Sequence, residues 1–175
     1  MINTYIPYFK KKDQNILKQC LKTNFVSTVG PLVKKFENNF SKKYNFNYSV
    51  ALNSGTSALH LGLKAIGIKN GDSVILPSYT FAATANTIIY NNAYPWFFDC
   101  DKNFDLPIDE IEKILKAKTY FRNKNLVIKK NNSIVRAIMP VSTFGKKLEF
   151  DKLIKFSEKY NLKILFDTAA CHDPK

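Results

Sequence analysis

From Asn47 onward, short apolar runs alternate with stretches of helical periodicity, and this rhythm constrains the fold more than any other feature of the chain. Candidate strands lie at 48–52 (YSVAL), 73–76 (SVIL), 94–98 (YPWFF), 135–141 (VRAIMPV) and 162–166 (LKILF). Between them the spacing predicts helices over 56–66, 81–91, 108–118 and 149–160. Strands that are apolar on both faces must be covered on both faces. The expected fold is therefore α/β, a three-layer sandwich around a mostly parallel sheet. Upstream, Ile16, Leu17, Cys20 and Leu21 recur at helical spacing within 10–23. Gly30 then breaks the pattern, and Pro31 suits the first turn of a second helix over 31–44. This divides the chain into a helical segment, 1–46, and an α/β domain, 47–175. Residues 119–133 are polar and basic around Val127-Ile128, and read as a surface insertion, either a small hairpin or a tolerated loop.

Composition excludes several classes. With 45% apolar and 14% aromatic residues in 175, the chain can bury a core and is not a disordered tail. No apolar run approaches a membrane-spanning length, and Met1-Ile2-Asn3-Thr4-Tyr5 does not open a signal peptide. Cys20, Cys100 and Cys171 have no metal-finger spacing and read as reduced thiols of a cytoplasmic protein. The net charge of +13 would suit a polyanion partner, but only Arg122 and Arg136 of the 27 basic residues are arginine. The lysines are scattered in short clusters, so a solvated surface is expected rather than a nucleic-acid or membrane interface.

Three segments could carry chemistry, each where a strand passes into a helix or a turn. Asn53-Ser54-Gly55-Thr56-Ser57 offers a tight turn, open amides, hydroxyls and a helix N-terminus, which together suit a phosphate monoester. An ordinary N-cap by Ser54 or Thr56 would use the same residues. Pro77-Ser78-Tyr79-Thr80-Phe81 places an aromatic ring beyond a strand end, where it can lie flat on a planar ligand or enter the core. Leu165-Phe166-Asp167 ends an apolar strand on a carboxylate, either a helix cap or the partner of a cationic ring nitrogen. Asp99-Cys100-Asp101 could hold a divalent cation or simply shape a strand-end turn. His60 lies in an apolar helix, and Cys171-His172 do not pair with each other. No dinucleotide fingerprint or Walker lysine is present.

These segments keep the order of a known pattern. SGTSALHLGLKAIGIKNGDSVILPSYTFAATANTIIYNNAYPWFFDCD, with FVSTVGPLVKKFE before it and IMPVSTFGKKLEFDKL and ILFDTAA after it, resembles the DegT/DnrJ/StrS sugar aminotransferases. These are pyridoxal-phosphate enzymes of fold type I. The resemblance implies that Gly55, Thr56 and Ser57 bind the phosphate of pyridoxal 5'-phosphate, that Phe81 stacks on its ring, and that Asp167 pairs with the ring nitrogen. It implies a ping-pong transfer of an amino group, typically from glutamate, to a keto sugar linked to a nucleotide, in cell-surface glycan or lipopolysaccharide building. A homodimer is implied as well, with Tyr5, Tyr8, Phe9 and Phe25 as a docking surface.

Two departures accompany the resemblance. Ala170 stands where many members carry Gln, His or Glu, so no role passes to it. The family's Schiff-base lysine follows the Asp motif at a greater distance than Lys175 does, so that lysine is expected beyond Lys175. The 175 residues are then the N-terminal part of the enzyme and inactive alone. A pyridoxal-phosphate-dependent sugar dehydratase, with His in place of that lysine, and a non-catalytic truncated relative are the alternatives.

Overall fold

The computed structural model describes residues 6–171. They fall into two compact units that meet in sequence between Ala51 and Leu52. Tyr5, expected on the apolar docking surface, lies outside the described residues, as do His172 and Lys175.

In the first unit, α1 spans Lys11–Thr23 and α2 spans Pro31–Tyr44. The Lys10 amide donates to Asp13 at 2.8 Å, closing the first turn of α1. Asn24 and Asn45 end the two helices in the left-handed conformation. No residue of either helix is fully buried, and Tyr8, Phe9, Phe25 and Val26 are exposed.

The strand expected over 48–52 does not form. Its backbone is claimed locally: the Ala51 amide donates to Glu37 Oε1 at 3.0 Å, and the Ser49 hydroxyl bonds to the Glu37 carbonyl. Residues 47–51 thus belong with the helices, although Tyr48, Val50 and Leu52 alternate as a strand would.

The second unit contains the sheet. Its elements are α3 (Gly55–Ala65), β1 (Ser73–Pro77), α4 (Ala82–Tyr90), β2 (Tyr94–Phe98), α5 (Ile108–Lys118), β3 (Thr119–Arg122), β4 (Asn125–Ile128), β5 (Ile134–Ile138), α6 (Phe150–Lys159) and β6 (Lys163–Ile164). The strand order is β2-β1-β5-β4-β3. The pairs β1–β2, β1–β5 and β5–β6 are parallel, whereas β3–β4 and β4–β5 are antiparallel, so the sheet is mixed. One edge of β5 is shared, with β4 along its first half and β6 along its second.

Every residue of β1 is buried, and its neighbours alternate between two cores. Val74 and Leu76 pack with Leu59 and Leu63 of α3 and Ile88 of α4. Ile75 packs with Ile111 and Leu115 of α5 and Leu153 and Phe156 of α6. Helices therefore cover both faces, and the three layers expected from the sequence are present.

Residues 119–133 correct an expectation. The hairpin forms, but it is not a surface insertion: β4 extends the sheet, and Leu126 and Val127 are 2% and 0% exposed. The Lys and Asn residues around them belong to turns that face water. If the hairpin is core, Leu126→Ala should cost about 2–5 kcal/mol, as buried Leu truncations do. A denaturant midpoint shifted by less than a surface substitution allows, within roughly 0.5 kcal/mol, would contradict this.

Candidate active site

Two of the three chemistry-bearing segments, 77–81 and the one ending on Asp167, meet in one cleft, and the third, 53–57, opens α3. Helix α3 feeds β1 through a short connection and runs back against it. Helix α4 starts at Ala82, directly after β1. Asp167 follows β6, and its amide donates to the Pro140 carbonyl at 2.9 Å. Proline has no N–H to give the ladder, which lapses after β5 and resumes as the parallel bridge Val141–Asp167.

At the α3 start, the Ser54 hydroxyl accepts from the Ser57 amide at 3.1 Å and lies 3.0 Å from the Ser57 hydroxyl. Ser54 is thus the N-cap, one of the two readings its sequence allowed. That bond leaves the Gly55 and Thr56 amides as the open donors of the first turn. A Cβ on Gly55 would meet no atom within 4 Å, so the space in front of the turn is free.

Asp167 is only 7% exposed. Thr84 Oγ1 donates to its Oδ2 at 2.8 Å, and the Ala169 amide donates to Oδ1 at 3.2 Å. Thr84 in turn bonds Thr80 Oγ1 at 2.8 Å. None of the ion pairs among the described residues involves Asp167. Two neutral donors position the carboxylate, so a cation arriving in the cleft would find an acceptor already fixed. Thr84 belongs to α4, which packs with α3 on one face of the sheet.

Phe81 is not a core residue. It is the N-cap of α4 and 81% exposed. With Asp167, Tyr79, Phe144 and Ala170 it lines a cleft of about 340 Å³. The wall opposite α4 is the turn Thr143–Gly145 after β5. A Cβ on Gly145 would lie 2.9 Å from the Ala170 carbonyl oxygen, and its φ is +78°, so this close approach requires glycine.

Sequence reasoning did not assign Thr84 or Thr80. Their spacing of four at a helix start, on the face that meets a strand-end Asp, was the available signal. The pair Asp99 and Asp101 is divided between separate tasks. Asp99 accepts from the Ser78 hydroxyl at 3.1 Å, while Asp101 Oδ1 accepts from the Asn103 and Asp105 amides at 2.8 and 3.0 Å. The Asp105 amide is the main cause holding the Asp101 carboxyl below its ordinary value. His60 is partly exposed beside Tyr90.

The chain belongs to the DegT/DnrJ/EryC1/StrS aminotransferase family, which it matches over residues 7–174. It is 30% identical over 175 residues to a GDP-perosamine synthase of Escherichia coli O157:H7, covering 99% of this chain and 44% of that protein. It is 34% identical over 171 residues to the spore coat polysaccharide biosynthesis protein SpsC of Bacillus subtilis, covering 95% and 40%. Among solved structures it resembles NtdA of Bacillus subtilis with bound cofactor PMP, at TM-score 0.73 and 29% identity, covering 88% and 32%. The chain therefore spans less than half the length of these relatives. The expected family, α/β fold and cofactor class agree with them.

The Thr84–Asp167 bond gives a direct test of the site's construction. Thr84→Val keeps the shape but leaves a buried carboxylate one donor short. It should destabilise the fold by about 1–3 kcal/mol in a denaturation curve. An unchanged midpoint would show that the bond does not hold the carboxylate.

Proposed function

We propose that this chain is the cofactor-facing part of a pyridoxal-phosphate-dependent sugar aminotransferase. In this reading, the complete protein moves an amino group from an amino acid, glutamate, to the keto carbon of a nucleotide-linked sugar for a cell-surface glycan such as lipopolysaccharide. The observation that carries the reading is the buried Asp167 carboxylate, fixed by Thr84 and Ala169 and lacking an ion-pair partner among the described residues, in a cleft that also exposes Phe81.

The residues present fit this cofactor. Asp167 would accept a hydrogen bond from a pyridinium N–H, leaving the proton on the nitrogen and the ring cationic. Phe81 supplies an exposed flat face for the ring. The open Gly55 and Thr56 amides, with the Thr56 and Ser57 hydroxyls, hold the phosphate at the positive end of α3. When bound, the cofactor supplies an electron sink for the carbanion formed at the amino-bearing carbon.

The exposed Tyr8, Phe9 and Phe25 suit a surface that docks on a second copy of the protein. Among the described residues no helix is long and apolar enough to cross a membrane. A cytoplasmic site of action agrees with a nucleotide-linked substrate.

The test is an absorbance titration of the full-length protein with pyridoxal phosphate, followed by reaction with glutamate and a keto-sugar nucleotide. Asp167→Ala should weaken cofactor binding by about 10- to 100-fold, the value of a charge-assisted bond. Phe81→Ala should weaken it several-fold, by about 0.5–1.5 kcal/mol. Undiminished affinity in Asp167→Ala, or loss of a sugar hydroxyl without gain of an amino group, would overturn the reading.

A further inference from the structure

Beside the cofactor cleft stands a cluster that the cofactor reading does not use. Tyr79 from the β1–α4 loop, Phe104 from the β2–α5 loop and Phe144 from the β5–α6 turn meet with ring centroids 4.9, 5.7 and 6.0 Å apart. All three rings remain open to water, at 49%, 42% and 76% exposure. Tyr79 and Phe144 line the same cleft as Asp167 and Phe81.

The fold bears a cost to hold these rings here. Phe104 and Phe144 both have positive φ, +65° and +54°, in the left-handed region that side chains of this size rarely enter. Thr143, immediately before Phe144, has a hydroxyl closed off from water with no hydrogen-bond partner among the described residues. Core packing does not repay this, because Phe144 is among the most exposed apolar residues of the unit. The Asp101 carboxylate reinforces the arrangement by binding the amides on both sides of Phe104. Strain kept at a cleft wall, for a ring that faces water, is strain kept for a ligand.

We propose that Phe144, buttressed by Tyr79 and Phe104, whose rings stand at 50° and 84° to it, offers the stacking face for the planar base of the nucleotide-linked substrate. A base offers a flat π-face, which aromatic rings receive without needing hydrogen bonds. The sugar is the poorer occupant. Its many hydroxyls would gain little from three rings whose only polar side-chain atom is the Tyr79 hydroxyl. The platform rests on reading the Asp167 cleft as the aminotransferase site, and makes Phe144 a specificity-determining residue of that site.

The experiment is a binding titration of full-length protein loaded with pyridoxal phosphate. The probes are GDP, UDP and dTDP, with glucose 1-phosphate as the sugar arm. At least one nucleoside diphosphate should bind. Phe144→Ala should weaken it by about tenfold or more, and Phe144→Leu, which keeps apolar bulk without the flat face, by nearly as much. Phe144→Tyr should retain affinity, and in Phe144→Ala and Phe144→Leu cofactor affinity should fall far less than nucleotide affinity. Nucleotide affinity that is indifferent to Phe144→Leu and Phe104→Ala would overturn the platform while leaving the cofactor reading intact. So would equal sensitivity of glucose 1-phosphate to these variants, or failure of every nucleotide to bind a protein that still takes up pyridoxal phosphate. Failure to take up pyridoxal phosphate at all would strike the cofactor reading itself.

Discussion

A carboxylate that is removed from water must be held by donors, and Asp167 sets this requirement for everything around it. Its two oxygens are taken by groups from different parts of the chain, the Thr84 hydroxyl on α4 and the Ala169 amide in the turn that follows. To bring Thr84 there, α4 must begin directly beyond β1. To bring Asp167 there, the strand pairing must continue past Pro140, which accepts from the Asp167 amide but has no N–H to return. The parallel order β1–β5–β6 satisfies both conditions, because it sends the ends of all three strands to one edge. The carboxylate is thus fixed by the sheet, not by a flexible loop.

The same edge holds both phenylalanines with positive φ, whereas elsewhere among the described residues such backbone falls on Asn, Gly and Lys124. Phe104 and Phe144 have strained backbones, and the Thr143 hydroxyl has no hydrogen-bond partner among the described residues. Gly145 is pressed against the Ala170 carbonyl. The opposite end of the sheet is quieter: Asp72 is bound by Arg136 and capped by the Lys69 amide. Apolar packing on both faces supplies the rigidity, and the loops at the carboxyl edge spend part of it on geometry that only a ligand would reward.

Much of this was legible in the sequence, for physical reasons that vary by residue. The helices announce themselves through spacing, and Ser54 through its position before Gly55. Buried parallel strands such as Val74-Ile75-Leu76 announce themselves because both faces must be apolar. The segment 48–52 deceived because strand pattern is a property of one segment while a strand is a relation between two. Here the Glu37 carboxylate took the amide that a neighbouring strand would have claimed. The hairpin was read as surface because Lys and Asn residues surround a short core contribution, Leu126 and Val127. Thr84 escaped notice since a threonine in a helix gains meaning only when the Asp it serves, 83 residues later, is folded against it.

The central claim is that Asp167 is a prepositioned partner for a protonated ring nitrogen. It is tested most directly by nitrogen NMR of full-length protein loaded with pyridoxal phosphate labelled with ¹⁵N in the ring. The account requires the chemical shift of a protonated pyridinium at neutral pH, and its replacement by that of a neutral pyridine in Asp167→Ala. A neutral ring nitrogen in the unaltered protein, or a protonated one that persists without the Asp167 carboxylate, would contradict it.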